Sequence, residues 1–145
     1  MKKAGFDPVI DLGLPEDEMI PEEKKLPFRL ISPGIPQRVN SSFYNVKYIR
    51  AFNAYECEIN PADAKKLGIK AGDRVKLSNQ RGEAFFVARV TTRVGQGVVR
   101  TAKCNWRSLN PYGRGTNTNT LTTGKLSDLG GGSAYHSTRV AVAKA

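Results

Sequence analysis

A chain of 145 residues has room for one domain with a genuine core and hardly for two. With 39% hydrophobic and 25% charged residues it reads as a globular protein. It has no apolar run near the roughly 18 residues of a membrane span. The net charge of +10 points to an anionic partner, with a solvated basic face as the plain alternative. That partner could be nucleic acid, a phosphorylated cofactor or an acidic protein face.

The charge is uneven. Residues 1–28 carry seven acids and four lysines, and residues 29–145 carry 19 basic and six acidic residues. Two cysteines, Cys57 and Cys104, and one histidine, His136, cannot assemble a four-ligand zinc or iron–sulfur site. The cysteines read as a disulfide or as two buried thiols. Met1 to Pro8 holds two lysines with no apolar stretch behind them, so it is not read as a secretory signal.

In chain order, residues 1–26 are broken by Pro8, Pro15 and Pro21 and loaded with charge. They predict an extended arm or linker ahead of a barrel over residues 27–145. Phe28 to Ile31 predicts a strand, ended by Ser32-Pro33-Gly34. Val46 to Tyr55 fits a short strand or a helical turn. Cys57 to Ile59 predicts a strand. Asn60 to Gly68 predicts a short helix, with Asn60 as N-cap, Pro61 at the first helical position and Gly68 as left-handed stop.

Arg74 to Ser78 alternates polar and apolar, and Asn79 to Gly82 is a turn. The return strand, Glu83 to Val90, puts Phe85 and Val87 on one face and Phe86 and Ala88 on the other. A turn at Val94 to Gly97 precedes a strand at Val98 to Ala102, and Thr138 to Val142 closes the chain. Lys103 to Gly132 is rich in Gly, Asn, Thr and Ser, a long irregular stretch of the kind that carries function or disorder. Many short strands with one or two short helices predict a mainly-β barrel with loops gathered around a site.

Four segments in order carry a resemblance. Asn60 to Asp73 reads NPADAKKLGIKAGD, and residues 75–99 continue it strand for strand. Residues 37–43, QRVNSSF, resemble an Arg-x-His/Asn-Ser segment. Residues 118–142 contain Asn119-Thr120-Leu121-Thr122 and Asp128-Leu129-Gly130-Gly131-Gly132. Together they resemble the C-terminal molybdopterin-dinucleotide-binding domain of the dimethyl sulfoxide reductase family of molybdenum and tungsten oxidoreductases. The Asp-Leu-Gly-Gly-Gly variant looks most like the polysulfide, thiosulfate and arsenate branch.

The resemblance implies a double-psi β-barrel that covers a bis(molybdopterin guanine dinucleotide) cofactor carrying Mo or W. It implies that the cofactor is shared with other domains of a parent oxidoreductase. The isolated domain would not turn over, and its partners would be those domains. The chain gives no location for the parent, which could be cytoplasmic or periplasmic.

A pterin dinucleotide needs donors and positive charge for its phosphates and paired donors and acceptors for its pterin edge. It also needs flat or apolar walls for its rings. By the resemblance, Ser32, Asn40, Ser41 and Ser42 contact pterin or phosphate; by residue chemistry alone they are turn formers. Arg38 would pair with phosphate or a pterin carbonyl, or else make a surface salt bridge. Asn119 is the first choice for the pterin edge, with Asn117 and Thr122 beside it. Their alternative is to cap a short helix from Thr122 to Leu129.

Gly130 to Gly132 allows close backbone approach, or is only a turn. Tyr135 could stack on the pterin, and His136 stands where many relatives carry Lys. Trp106 and Arg107 line the pocket or simply pack.

A second reading is single-stranded nucleic acid held by Arg100, Lys103, Arg107 and Arg114 with Trp106 and Tyr112. No strand alternates basic and aromatic residues as a stacking platform would, which makes nucleic acid the weaker partner. A stand-alone enzyme lacks a catalytic constellation. A separate barrel subunit of a larger molybdenum or tungsten complex stays open.

Overall fold

The computed structural model describes residues 25–49, 55–110, 117–126 and 131–145. The arm predicted for residues 1–26 therefore lies outside the described residues, apart from Lys25 and Leu26. So do Gly130, Tyr112 and Arg114.

Among the described residues, six strands and one helix form the frame. They are β1 (Phe28–Ile31), β2 (Glu56–Ile59), α1 (Pro61–Lys66), β3 (Arg74–Asn79), β4 (Gly82–Val90), β5 (Val98–Thr101) and β6 (Arg139–Lys144). Three single 3-10 turns, at Arg107–Leu109, Thr118–Thr120 and Tyr135–Ser137, decorate it. The undecided stretch begins as turns over residues 46–49, and residues 50–54 lie outside the description.

The strands close into a barrel in the order β1-β5-β2-β4-β3-β6. The pairs β1·β5 and β2·β4 are parallel and the other four are antiparallel. Exchanging β1, β2 and β3 with β4, β5 and β6 maps every pairing onto another of the same sense. The barrel thus has two equivalent halves. In each half a connection passes over the strand that separates its ends: β5 separates β1 from β2, and β2 separates β4 from β5. Two such interlocked units make a double-psi β-barrel, and closure leaves no open sheet edge.

Alternation fills the interior. In β4, Ala84, Phe86 and Ala88 point inward, while Phe85 and Val87 are half-buried outside. Leu30, Cys57, Ile59, Val75, Leu77, Val99, Leu121 and Val140 complete the core. Burial of their apolar surface is the main driving term, at about 25 cal/mol per Å².

The helix follows its sequence signals. Asn60 Oδ1 accepts from the Ala62 N–H at 3.0 Å, and Gly68 exits at φ +65°. Asn60 Nδ2 also donates to the Val94 carbonyl at 2.8 Å, and buried Asp63 accepts from the Gly97 N–H at 2.7 Å. The cap therefore staples α1 to the β4–β5 turn.

On the outside, Glu58 of β2 is buried between Arg100 at 3.1 Å and Arg93 at 3.8 Å, and Glu56 meets Arg89 at 3.0 Å. These cross-strand pairs tie up part of the basic charge. Among the described residues, no helix is long and apolar enough to cross a membrane.

Both cysteines are free thiols. Cys57 sits fully buried in the core, where burial, reinforced by the Glu58 charge, pushes its thiol far up. Cys104 is only half-buried, against the expectation of two buried thiols. We expect iodoacetamide to label Cys104 alone in the native protein, and Cys57 only once the chain unfolds. Intact mass before and after denaturant checks this; two rapid native adducts would contradict it.

Candidate functional site

Strand direction gathers the site at one end of the barrel. β1 and β5 run parallel, so Ser32 and Ala102 leave the barrel together. β6 runs antiparallel to β1, so its lead-in, Tyr135–Thr138, arrives at the same end. The β3–β4 turn is there too, since Ser78 pairs with Ala141.

Hydrogen bonds join these segments. The Lys103 N–H donates to the Pro33 carbonyl at 3.1 Å, and the Leu30 N–H to the Thr138 carbonyl at 2.8 Å. The backbone N–H of buried Ser32 donates to His136 Nδ1 at 3.3 Å, which leaves Nε2 as the nitrogen available to a ligand.

The segment from Asn117 to Thr122 is held from beneath. Thr118 is fully buried, with its hydroxyl on the Ala102 carbonyl at 2.9 Å and 3.1 Å from the Thr101 hydroxyl. Leu121 plugs the core. Its carbonyl accepts from Asn79 Nδ2 at 2.8 Å and from Arg81 Nε at 2.9 Å. Gly82 lets the hairpin approach: a Cβ there would lie 3.3 Å from the Thr120 carbonyl. Asn117 Oδ1 caps the 3-10 turn by accepting from the Asn119 N–H at 3.0 Å. The Thr122 hydroxyl donates to the Asn119 carbonyl at 3.1 Å.

The result is an open cleft of about 310 Å³ lined by Lys103, Cys104, Asn119, Thr122, Thr123, Ser133 and Tyr135. The Asn119 carboxamide is exposed there and makes no hydrogen bond to any described residue. Tyr135 lies tilted against His136, with ring planes at 52° and centroids 4.3 Å apart. Among the described residues, the lining offers an amide, hydroxyls, a thiol, one ammonium and one aromatic ring, and no carboxylate.

Of the residues singled out from sequence, Asn119, Thr122 and Tyr135 line this cleft, and Ser32 and His136 adjoin it through their shared hydrogen bond. Asn117 serves as a cap. No helix begins at Thr122 within residues 122–126; instead Leu126 bridges to Ser133. The remainder of that predicted helix lies outside the described residues.

Arg38, Asn40, Ser41 and Ser42 belong to a neighbouring cluster and do not line the cleft. Arg38 is buried, with one terminal nitrogen on the Ile49 carbonyl at 3.1 Å and its guanidinium 4.2 Å over the Tyr44 ring. Tyr44 stacks on Trp106 with centroids 5.8 Å apart, and Trp106 Nε1 donates to the Ser41 carbonyl at 2.7 Å. Trp106 therefore packs, although it stays partly exposed. Exposed Asn40 takes a left-handed turn with φ +51°. Residues 103–106 form the wall shared by the cluster and the cleft. Thr123 and Ser133 escaped the sequence reading, while Lys103 entered it only as a nucleic-acid contact and Cys104 only as a thiol.

Burial pushes the Tyr44 hydroxyl from 10.0 up to about 12, with the Arg38 charge opposing. A raised value means that the stability tied to neutral Tyr44 is intact below pH 10 and is lost as pH rises toward 12. Tyr44→Phe is expected to flatten this alkaline loss, leaving the part due to Tyr55, which burial also raises. Melting temperatures of both proteins from pH 8 to 12 check it; parallel curves would refute it.

The profile described as Molydopterin dinucleotide binding domain matches residues 28–139. The putative dimethyl sulfoxide reductase chain YnfE of Escherichia coli (strain K12) is 35% identical over 128 residues, which span 86% of this chain and 16% of that one. Dimethyl sulfoxide reductase DmsA of the same organism is 36% identical over 126 residues, with the same shares. The probable oxidoreductase YoaE of Bacillus subtilis (strain 168) is 33% identical over 145 residues, 99% of this chain and 20% of that one. The chain thus spans only between 16% and 20% of these relatives' length. Among solved structures, acetylene hydratase from Pelobacter acetylenicus shares the fold, with a TM-score of 0.80 at 17% identity over 99% of this chain and 22% of that one.

Proposed function

The chain belongs to the molybdopterin dinucleotide-binding domain family, and from that premise we propose that its cleft clamps a molybdopterin guanine dinucleotide. In this reading the cofactor is the bis form, carries Mo or W, and is shared with the remaining domains of a dimethyl sulfoxide reductase-type oxidoreductase. Those domains are the partners. The metal centre supplies the redox chemistry when the cofactor is bound. This chain binds, orients and shields, and contributes no catalytic residue.

One observation supports this above the others: an exposed, unpartnered carboxamide, Asn119, on a turn fixed from below by Leu121, Asn79 and Arg81. A carboxamide donates and accepts at once, which matches the amine and carbonyl of a pterin edge. The contacts that hold Leu121 fix the backbone of this turn and so reduce the ordering cost of binding. Tyr135 adds a ring wall, and Thr122 and Ser133 add small hydroxyls. His136 Nε2 and the Ser32 backbone close the site at β1.

The test is an amide NMR titration of the full chain with GDP, a soluble pterin and a short single-stranded DNA. Shifts should cluster at Asn119 to Thr123 and Ser133 to His136 for the first two ligands. Asn119→Ala should weaken pterin binding about tenfold, the loss expected for one to two hydrogen bonds. Shifts strongest for DNA, spread over Lys and Arg and erased by salt, would replace this reading with nucleic-acid binding. Silence at the cleft for every ligand would overturn it.

A further inference from the structure

Among the described residues, the large apolar side chains that stay exposed are Val39, Phe43, Tyr48, Trp106 and Leu126. All of them sit in segments gathered at the end of the barrel that carries the cleft. Residues 32–49 follow β1, residues 102–110 follow β5, and residues 117–126 hold Asn119. The opposite end differs. β2 runs antiparallel to β5, so α1, residues 68–73 and the β4–β5 turn lie there, and their exposed long side chains are Lys65, Lys66, Lys70 and Arg93. Apolar exposure confined to one end marks a surface that another protein covers.

We infer that the loop of residues 37–48, with Trp106, is a docking face for a neighbouring domain of the parent oxidoreductase, one that presents apolar side chains rimmed by carboxylates. The inference rests on reading the chain as a cofactor-clamping domain and adds the surface on which a second domain closes over that end.

Three observations carry it. First, the loop is tied down from within. Trp106 stacks on Tyr44 with centroids 5.8 Å apart and donates to the Ser41 carbonyl at 2.7 Å. The Tyr44 hydroxyl donates to Asn105 Oδ1 at 3.2 Å, and the Tyr55 hydroxyl to the Trp106 carbonyl at 2.8 Å. Phe43 is held at φ +69°, which a bulky residue adopts only where its surroundings impose it. Phe43 is nonetheless 46% exposed and Tyr48 76% exposed. Pre-ordered aromatic side chains lose little entropy on docking, and interfaces concentrate their binding on them. Second, residues 32–49 and 102–110 contain no carboxylate, whereas Lys47 and Arg107 are exposed among them. A rim of that sign fits acidic groups on the partner. Third, the chain spans only 16% to 20% of the length of the relatives named above, so most of each relative is left to face this end.

Hydroxyl-radical labelling read by mass spectrometry compares the chain alone with the intact oxidoreductase that contains it, with and without its cofactor. Phe43, Tyr48 and Trp106 should be labelled at least about threefold less in the intact protein, in both cofactor states. Unchanged labelling would overturn the docking face, and protection that needs the cofactor would reassign the loop to the ligand. Protection that grows with concentration of the chain alone would make a second copy the occupant. Tyr48→Asp should leave the melting temperature of the chain alone within about two degrees, since the side chain is exposed. In the intact protein it should return Trp106 labelling toward the level of the chain alone, and Lys47→Glu should act in the same direction by repelling carboxylates. Full protection in both variants would contradict the assignment. Tyr135 reports on the cleft separately. If its labelling responds to the cofactor while the loop stays unprotected, the docking face falls and the clamp stands; the reverse pattern sinks the clamp and leaves the face.

Discussion

Leu121→Ala is expected to lower the unfolding free energy by about 2–5 kcal/mol and to abolish ligand-induced shifts at Asn119. Leu121 is fully buried and packs into the barrel core. Truncation there loses transfer energy and leaves a cavity in a wall of strands that cannot collapse around it. The same side chain is the apolar anchor of the turn that presents Asn119, two residues earlier in the chain. The loss would be a large share of a typical 5–15 kcal/mol total. Urea unfolding gives the stability, and amide NMR gives the site. Leu121→Met separates the two effects, since it keeps volume and should cost less than about 1.5 kcal/mol while preserving the shifts. A Leu121→Ala protein that loses stability but binds pterin normally would show that the turn stands without its plug.

The frame was legible where local chemistry decides alone. Alternation marked β3 and β4 and placed Phe86 inward. Pro61, Asn60 and Gly68 bounded the helix, because cap and stop are properties of a few adjacent residues. The closing strand runs to Lys144, two residues past the predicted Val142, because Val75 pairs with Lys144 whatever the local polarity. Barrel order was not readable from periodicity. Parallel pairing of β1 with β5 joins residues about seventy positions apart, and only the family resemblance supplied it.

The site was legible in one half. Asn119, Thr122 and Tyr135 came from motif position, and all three line the cleft. Lys103 and Ser133 could not be found that way, since their relevance comes from strand ends meeting in space. Arg38 shows the opposite case. An arginine in a polar loop suggests an anion contact, yet burial places its guanidinium over the Tyr44 ring, outside the cleft. Asn117 and Asn119 look alike in sequence. Register on a 3-10 turn separates them, one amide turned to the backbone as a cap and the other left for a ligand.

Asn79→Ala should cost about 1–3 kcal/mol, although it removes no apolar contact. The Asn79 amide donates to the carbonyls of Leu121 at 2.8 Å and Arg139 at 3.3 Å, and accepts from the Arg81 N–H at 3.0 Å. It therefore ties the hairpin to both the Asn119 turn and the start of β6. Alanine leaves these groups without that partner in a partly buried place, and the penalty is their desolvation. Arg81 Nε shares the Leu121 carbonyl at 2.9 Å, so each donor partly covers the loss of the other. Arg81→Ala alone should then cost less than Asn79→Ala. The double variant should exceed the sum of the singles by at least about 0.5 kcal/mol. Additive costs in urea unfolding would mean that the two donors act independently. Each would then hold the turn beneath Asn119 by its own bond, without covering for the other.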